Sequence, residues 1–451
     1  MCKARKLRKL RPCAKSLIHS MRQFLTPAVF KQVRNGTHRG KMPRWDVHPL
    51  IHVAIVMTWC CGDSLPERFE AARAFYVASC GKRKRPGISV QGFEQALQKL
   101  PMPVLRSLAA AIRRRVQTLF GDRLRVDGFI PFGCDGTRQE SPRSEELERR
   151  LGTFGKEGSA PMIWNTSIVH WTLGFPWVWR FGKGGKAGER SHLIQMLPSL
   201  PKRALIVADA GYVGYDVVRA LATTPVFFLI RMSSQATFYT RNHVRLDEFR
   251  EGIAYYWPKK AQQKEKPPLR GRLIRVVNRK HKADVWLFTN VEDREQLTVE
   301  MASRFYRWRW EKEGFFRTYK RTMKKVKLTS RTLRLVHREA EVSMLATQLL
   351  LCQGALAMPV ATTQALPVMC SPRRVLLEIR RNIPKPPPQK QAFSERIAQA
   401  QRERRARTTP KEKRQWPRRK SHAPPLPPLI LTLTDQQNVI VNQYFELAEA
   451  A

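Results

Sequence analysis

Apolar residues run almost unbroken over 48–61 and stop at Gly62, and the polar breaks that follow punctuate more helices. Ser64 stands where an N-cap belongs before Leu65-Pro66-Glu67. Pro101 and Pro103 introduce a helix over 104–120 that Gly121 closes. Residues 89–97 can open the second helix of a helix-turn-helix, so 46–126 reads as a helical domain, for recognising DNA ends or simply for packing. At Phe129 the period changes. Residues 129–134 are short and apolar and lead into Asp135-Gly136-Thr137-Arg138, which predicts a strand delivering an aspartate at its carboxyl end. Two β-rich runs, 162–173 and 176–181, are joined by Gly174, and a helix is expected over 191–197. Residues 204–208 are wholly apolar, as in a central strand buried on both faces, and end in Asp209-Ala210-Gly211-Tyr212. A helix over 215–222 and another buried strand over 226–230 follow.

The interval from Asp209 to Glu313 is 104 residues. Within it, residues 232–282 include the polar and aromatic segment Tyr255-Tyr256-Trp257 and a Lys/Pro-rich loop, and 285–288 reads as a strand that follows them. The expected organisation is a basic arm (1–45), a helical domain (46–126), an α/β domain (127–345) and a helical region with a basic, Pro-rich tail (346–451).

Composition narrows the partners. The 451 residues carry 83 Lys+Arg against 36 Asp+Glu, a formal charge of +47, which calls for a polyanion. A content of 42% hydrophobic residues with 11 tryptophans argues for packed domains over a solvated basic coat. None of the eight cysteines has zinc-ligand spacing, so they read as reduced thiols of a cytosolic protein, and the basic N-terminus lacks the apolar core of a signal peptide. The uncharged stretch 342–369 is long enough to span a membrane. Gln348, Gln353, Gly354 and Pro359 interrupt it, and a buried core helix is expected instead.

The chemistry concentrates in 306–320. On a helix turning about 100° per residue, Tyr306, Arg309, Glu313 and Lys320 share one face, while Trp308 and Phe315 point to the other side. One carboxylate flanked by two cations and a phenol suits a metal-bound phosphodiester. It also suits an amphipathic helix with a solvated charged stripe.

The spacing Tyr-x2-Arg-x3-Glu-x6-Lys resembles the signature around the last acidic residue of DDE transposases from bacterial insertion sequences, which have a ribonuclease H-like core. Asp135-Gly136-Thr137-Arg138 and Asp209-Ala210-Gly211-Tyr212 resemble the other two acidic motifs of that group, so the likeness spans about 129–330. It implies an α/β fold: a ribonuclease H-like catalytic core with a β-rich insertion at about 232–282, since the Asp209–Glu313 interval is longer than a plain fold of that type needs, closed by the strand 285–288, with a helical N-terminal domain and a helical, basic C-terminal region. It further implies a triad of Asp135, Asp209 and Glu313 holding two Mg²⁺ ions, for which Mn²⁺ can substitute. Tyr306, Arg309 and Lys320 would position a DNA phosphate. Arg138 would touch the same backbone or serve only at the surface. In some members an insertion aromatic stacks on a flipped base. Trp257 and Trp286 are the positions for that, with core packing as the alternative for each. The implied function is cut-and-paste transposition in the bacterial cytosol, close to the nucleoid and away from any membrane. The partners would be double-stranded DNA, as terminal inverted repeats and target, and a second copy of the chain on the DNA. A related nuclease that never joins strands, and a DNA-binding descendant without catalysis, remain as alternatives.

Overall fold

The computed structural model describes residues 14–35, 44–80, 86–153, 158–183, 188–277, 284–359, 369–383, 391–401 and 426–449. The chain divides into two units. The first comprises Met1–Leu124, Gly136–Gly188 and Glu311–Glu403; the second comprises Arg125–Asp135, Glu189–Trp310 and Arg404–Ala451. The fold is mixed α/β. Ten strands occur among the described residues: β1 Ile130–Glu140, β2 Met162–His170, β3 Pro176–Lys183, β4 Ala204–Ala208, β5 Phe227–Arg231, β6 Thr237–Thr240, β7 Glu251–Tyr256, β8 Leu269–Val276, β9 Val285–Thr289 and β10 Leu429–Thr432.

The first unit is built on the helix Leu333–Ala357, whose apolar window is 89% buried inside the protein. Protein side chains cover it, as for a core helix. The Trp59 indole donates to the Ala346 carbonyl at 3.2 Å, and Gln348 donates to that of Pro176 at 3.0 Å. This helix takes up the uncharged stretch as far as Ala357, whereas residues 360–368 lie outside those described. Around it lie Val47–Trp59, Leu65–Cys80, Val90–Lys99 and Met102–Phe120. Local capping explains their starts. Ser64 Oγ accepts the Glu67 N–H while the Glu67 carboxylate accepts the Ser64 N–H, a reciprocal box, and Ser89 Oγ accepts from Gly92 N–H. Gly121 ends the last helix with φ +50, a conformation open to glycine.

The arm expected over 1–45 requires correction. Leu17–Phe24 and Pro27–Asn35 are helices, and Leu17, Met21 and Phe24 are buried. Their spacing makes one apolar stripe, so the segment packs despite its charge. Residues 1–13 lie outside the described chain.

In the second unit the strand order is β10-β6-β7-β8-β9-β5-β4-β1. β1, β4 and β5 are parallel; β5, β9, β8, β7 and β6 alternate antiparallel; β10 pairs parallel with β6. β4 is buried at every position, as its unbroken apolar sequence requires. The strands β6, β7 and β8 of the expected insertion widen this sheet beyond β9. At the far edge, β10 and the helix Asp435–Glu449 close a small core with Tyr239, Tyr255 and Trp257. The C-terminal stretch, read from sequence as part of a tail, is thus an integral edge of this unit.

β1 does not end at Cys134. It continues through Asp135 to Glu140, because its second half, in the first unit, is followed by the neighbouring hairpin β2–β3, with Ser167 opposite Trp179.

Candidate active site

β1 and β4 run parallel with Ile130 opposite Ala204 and Gly133 opposite Val207. Continued by two residues, that register would place Asp135 of β1 opposite Asp209, the first residue after β4, across the usual strand spacing of about 4.8 Å. Both aspartates are half-buried. Apolar strand residues thereby lead into each of the two carboxylates.

Asp209 is positioned from its own turn. Its backbone is extended (φ −88, ψ 179), it caps the 3₁₀ turn Ala210–Tyr212, and Oδ1 accepts the Gly211 N–H at 3.0 Å. Oδ2 lies 3.3 Å from Arg309 Nη1, with the two side chains 33% and 15% exposed. Arg190 donates to the Gly211 carbonyl at 3.0 Å, a second cation on the same turn. Tyr212 is buried, and the Cys134 thiol donates to its hydroxyl at 3.4 Å. Burial foremost, then the neighbouring Cys134, Glu189 and Asp135, push the Tyr212 phenol far above its usual range. Tyr212 and Cys134 thus tie the turn after one aspartate to the residue before the other. Neither was singled out by sequence. The signal was present in Tyr212, which closes the same four-residue motif as Asp209.

The segment 306–320 is not one uniform helix, which corrects the shared face deduced from about 100° per residue. The helix Val299–Arg307 passes into a 3₁₀ turn, Trp308–Trp310, then a short α-helix, Glu311–Arg317, then a π turn, Thr318–Thr322. Each change of helix type changes the rotation per residue. Tyr306 and Arg309 belong to the second unit, Glu313 and Lys320 to the first. In the second unit the Arg309 guanidinium packs over the Tyr306 ring at 5.5 Å, and the buried Tyr306 hydroxyl has no hydrogen-bond partner among the described residues. Glu313 sits in its short helix, and its side chain lies outside the described residues.

In the first unit Lys320 and Arg138 come together. The Lys320 ammonium is pushed below its usual range by burial, with Glu140 opposing and Arg138 adding to the shift. Arg138 stacks its guanidinium on the Trp164 ring at 4.2 Å. Tyr319 donates to Gln139 Oε1 at 3.3 Å, joining the π turn to β1, and Phe315 is buried beside it. Trp257 and Trp286 are both packed inside the second unit. The Trp257 indole donates to the Lys266 carbonyl at 2.7 Å, and Trp286 stacks on Phe249 at 5.6 Å.

Two carboxylates at one level are hard oxygen donors of the kind Mg²⁺ takes. Among the described residues no group of three or more His, Cys, Asp or Glu converges, and Glu313 is not among the side chains described.

Residues 177–349 match the family model described as Transposase DDE domain. This supports a DDE transposase. The matched segment contains Asp209, Tyr306, Arg309, Glu313 and Lys320, while Asp135 precedes it. The chain has no match among proteins of curated function. Among solved structures, the cryo-EM structure of the piggyBac transposase synaptic complex with hairpin DNA aligns over 90% of each chain, at 9% identity and a TM-score of 0.41.

Proposed function

We propose that the chain is a cut-and-paste transposase of the bacterial insertion-sequence type, with a ribonuclease H-like core, acting on double-stranded DNA at the terminal inverted repeats of its element. The observation that carries the reading is the register-matched pair Asp135 and Asp209 with Arg309 against the second. Half-buried carboxylates brought side by side need a counter-charge.

Asp135, Asp209 and Glu313 are the residues that would hold two Mg²⁺ ions, with Mn²⁺ able to replace them. When bound, the metal supplies Lewis acidity toward a phosphoryl oxygen and favours ionisation of a hydroxyl. The remaining work falls to the chain. Arg309 and Lys320 hold phosphate oxygens of the scissile bond, and Tyr306 donates its hydroxyl to one of them. Arg138, fixed on Trp164, steadies the same backbone. A water oxygen attacks phosphorus in line, giving up a proton, and the P–O3′ bond breaks so that the DNA 3′ oxygen leaves and takes up a proton as a free 3′-OH. In the joining step the freed 3′-OH attacks a phosphodiester of target DNA in line; the new 3′ O–P bond replaces the target's own P–O3′ bond, and the target 3′ oxygen leaves and takes up a proton in exchange for the one the attacking hydroxyl gives up. Action on two ends calls for two copies on the DNA.

The test uses labelled duplexes from both borders of the surrounding element, incubated with wild type and Glu313→Gln in Mg²⁺ and in EDTA. Metal-dependent cleavage at a border, lost in the variant, with strand-transfer products, is the expected result. Cleavage without joining would replace the reading by a nuclease. Binding without cleavage, in Mn²⁺ as well, would replace it by a non-catalytic DNA-binding protein.

A further inference from the structure

The first unit contains a second concentration of charge that uses none of the residues named for catalysis. Glu341, on the core helix, has a side chain only 4% exposed. It accepts the Trp179 indole N–H at 2.6 Å and lies 4.0 Å from Arg106 Nε. Arg106, Arg180 and Arg338 all act electrostatically on this one carboxylate, and Arg113 stands beside Arg180. These four arginines come from three elements: the helix Met102–Phe120, β3 and the helix Leu333–Ala357. On the first of them Arg106 and Arg113 are two turns apart and share a face, about 10 Å along the axis.

The charges do not balance. Three guanidiniums act on one carboxylate with a fourth, Arg113, beside Arg180, and burial pushes that carboxyl upward against the pull of its arginines. Arg113 is held down to about 10 by burial and then by Arg180 and Arg114, while Arg180 is lowered by burial and then by Arg106. His337 is lowered by burial and then by Arg338 and Arg106. Cations that disfavour one another persist here because backbone carbonyls anchor them. Arg113 donates to Trp177 O at 3.3 Å, Arg180 to Trp179 O at 2.8 Å and Arg338 to Leu100 O at 2.7 Å. Such bonds orient a guanidinium without neutralising it, and each fork has further N–H donors to offer. The cluster opens to solvent at Arg106, whose side chain is 52% exposed.

We propose that Arg106, Arg180 and Arg338 form a seat for a backbone phosphate of duplex DNA, additional to the phosphate held at the scissile bond. A phosphodiester supplies the missing negative charge and accepts forked N–H bonds. The choice of DNA as its source rests on the transposase reading above and on the chain's formal charge of +47.

The test measures duplex affinity in EDTA across a salt series, for wild type, Arg106→Gln, Arg106→Lys and, as a control, Arg149→Gln, whose arginine is 67% exposed and paired with Glu145. For Arg106→Gln the slope of log affinity against log salt should fall by about one, with affinity about five- to tenfold weaker near 0.1 M salt. Arg106→Lys should retain the wild-type slope. An unchanged slope in Arg106→Gln, or an equal fall in Arg149→Gln, overturns the seat. Competition by inorganic pyrophosphate alone, with no change in the duplex slope, also overturns it and assigns the cluster to a small anion. Because binding is read without metal, a wild type that never cleaves would overturn the transposase reading and leave this one standing.

Discussion

Arg309 holds Nη1 at 3.3 Å from Asp209 Oδ2, and both side chains are largely withdrawn from water. The guanidinium therefore serves as a counter-charge at this aspartate, and under the proposed function it would share itself between carboxylate and phosphate. Arg309→Ala should lower single-turnover DNA cleavage by about 10²–10³-fold, the usual cost of one transition-state donor. Mg²⁺ affinity, followed by calorimetry, should change far less. Equal losses in both would assign Arg309 a purely structural part.

Glu313→Gln keeps the shape of the side chain and removes its charge. Cleavage of border duplexes should disappear, with DNA affinity in EDTA within about threefold of wild type, since a carboxylate adds nothing to phosphate binding. Full cleavage by the variant would remove Glu313 from the triad.

The strands leading into the two aspartates were legible because each is a local apolar run, and 204–208 is typical of the buried strand it forms. The capping residue Ser64 was legible for the same reason, since a cap is decided within four residues. The course of β1 beyond Asp135 was not. Gly136-Thr137-Arg138 has little strand character of its own and is extended because its sheet neighbours are there. β10 pairs with β6 across nearly two hundred residues, a relation no local pattern contains. The shared face drawn for Tyr306, Arg309, Glu313 and Lys320 assumed one constant rotation. The switch from α to 3₁₀ and on to π depends on surroundings that spacing does not encode. The helix Leu17–Phe24 was readable in principle, but a count of basic residues concealed its apolar stripe.

Gly271 lies in β8 where a Cβ would stand 2.5 Å from the Thr289 carbonyl oxygen and 2.8 Å from the Phe288 ring. The oxygen belongs to the neighbouring strand and cannot swing away. Gly271→Ala should destabilise the second unit by about 1–3 kcal/mol, lowering its thermal midpoint. At Gly252 in β7 the nearest atom would be the Phe249 ring at 3.5 Å, an ordinary contact, so Gly252→Ala should be tolerated. Equal melting of the two variants would show that β8 and β9 can separate at little cost.

His170 is buried with both ring nitrogens occupied. Nε2–H donates to the Leu124 carbonyl at 2.9 Å, and Nδ1 accepts the Leu173 N–H at 3.3 Å, so the neutral tautomer is fixed. Burial lowers its pKa to about 4, against the opposing effect of the Leu124 bond. The unfolded chain takes up this proton near pH 6.5, the folded chain only near 4. Between those values the unfolded state binds more protons, so stability falls as pH falls, and above that window the histidine contributes no slope. The loss is up to about 1.4 kcal/mol per pH unit for one such group. His52, lowered to about 3 chiefly by burial, acts in the same direction. Urea midpoints followed by tryptophan fluorescence should therefore decline from pH 6.5 toward 4.5 in the wild type. They should decline less steeply in His170→Gln, which cannot take up that proton in either state. The same slope in both proteins would mean that His170 does not stay neutral in the folded chain.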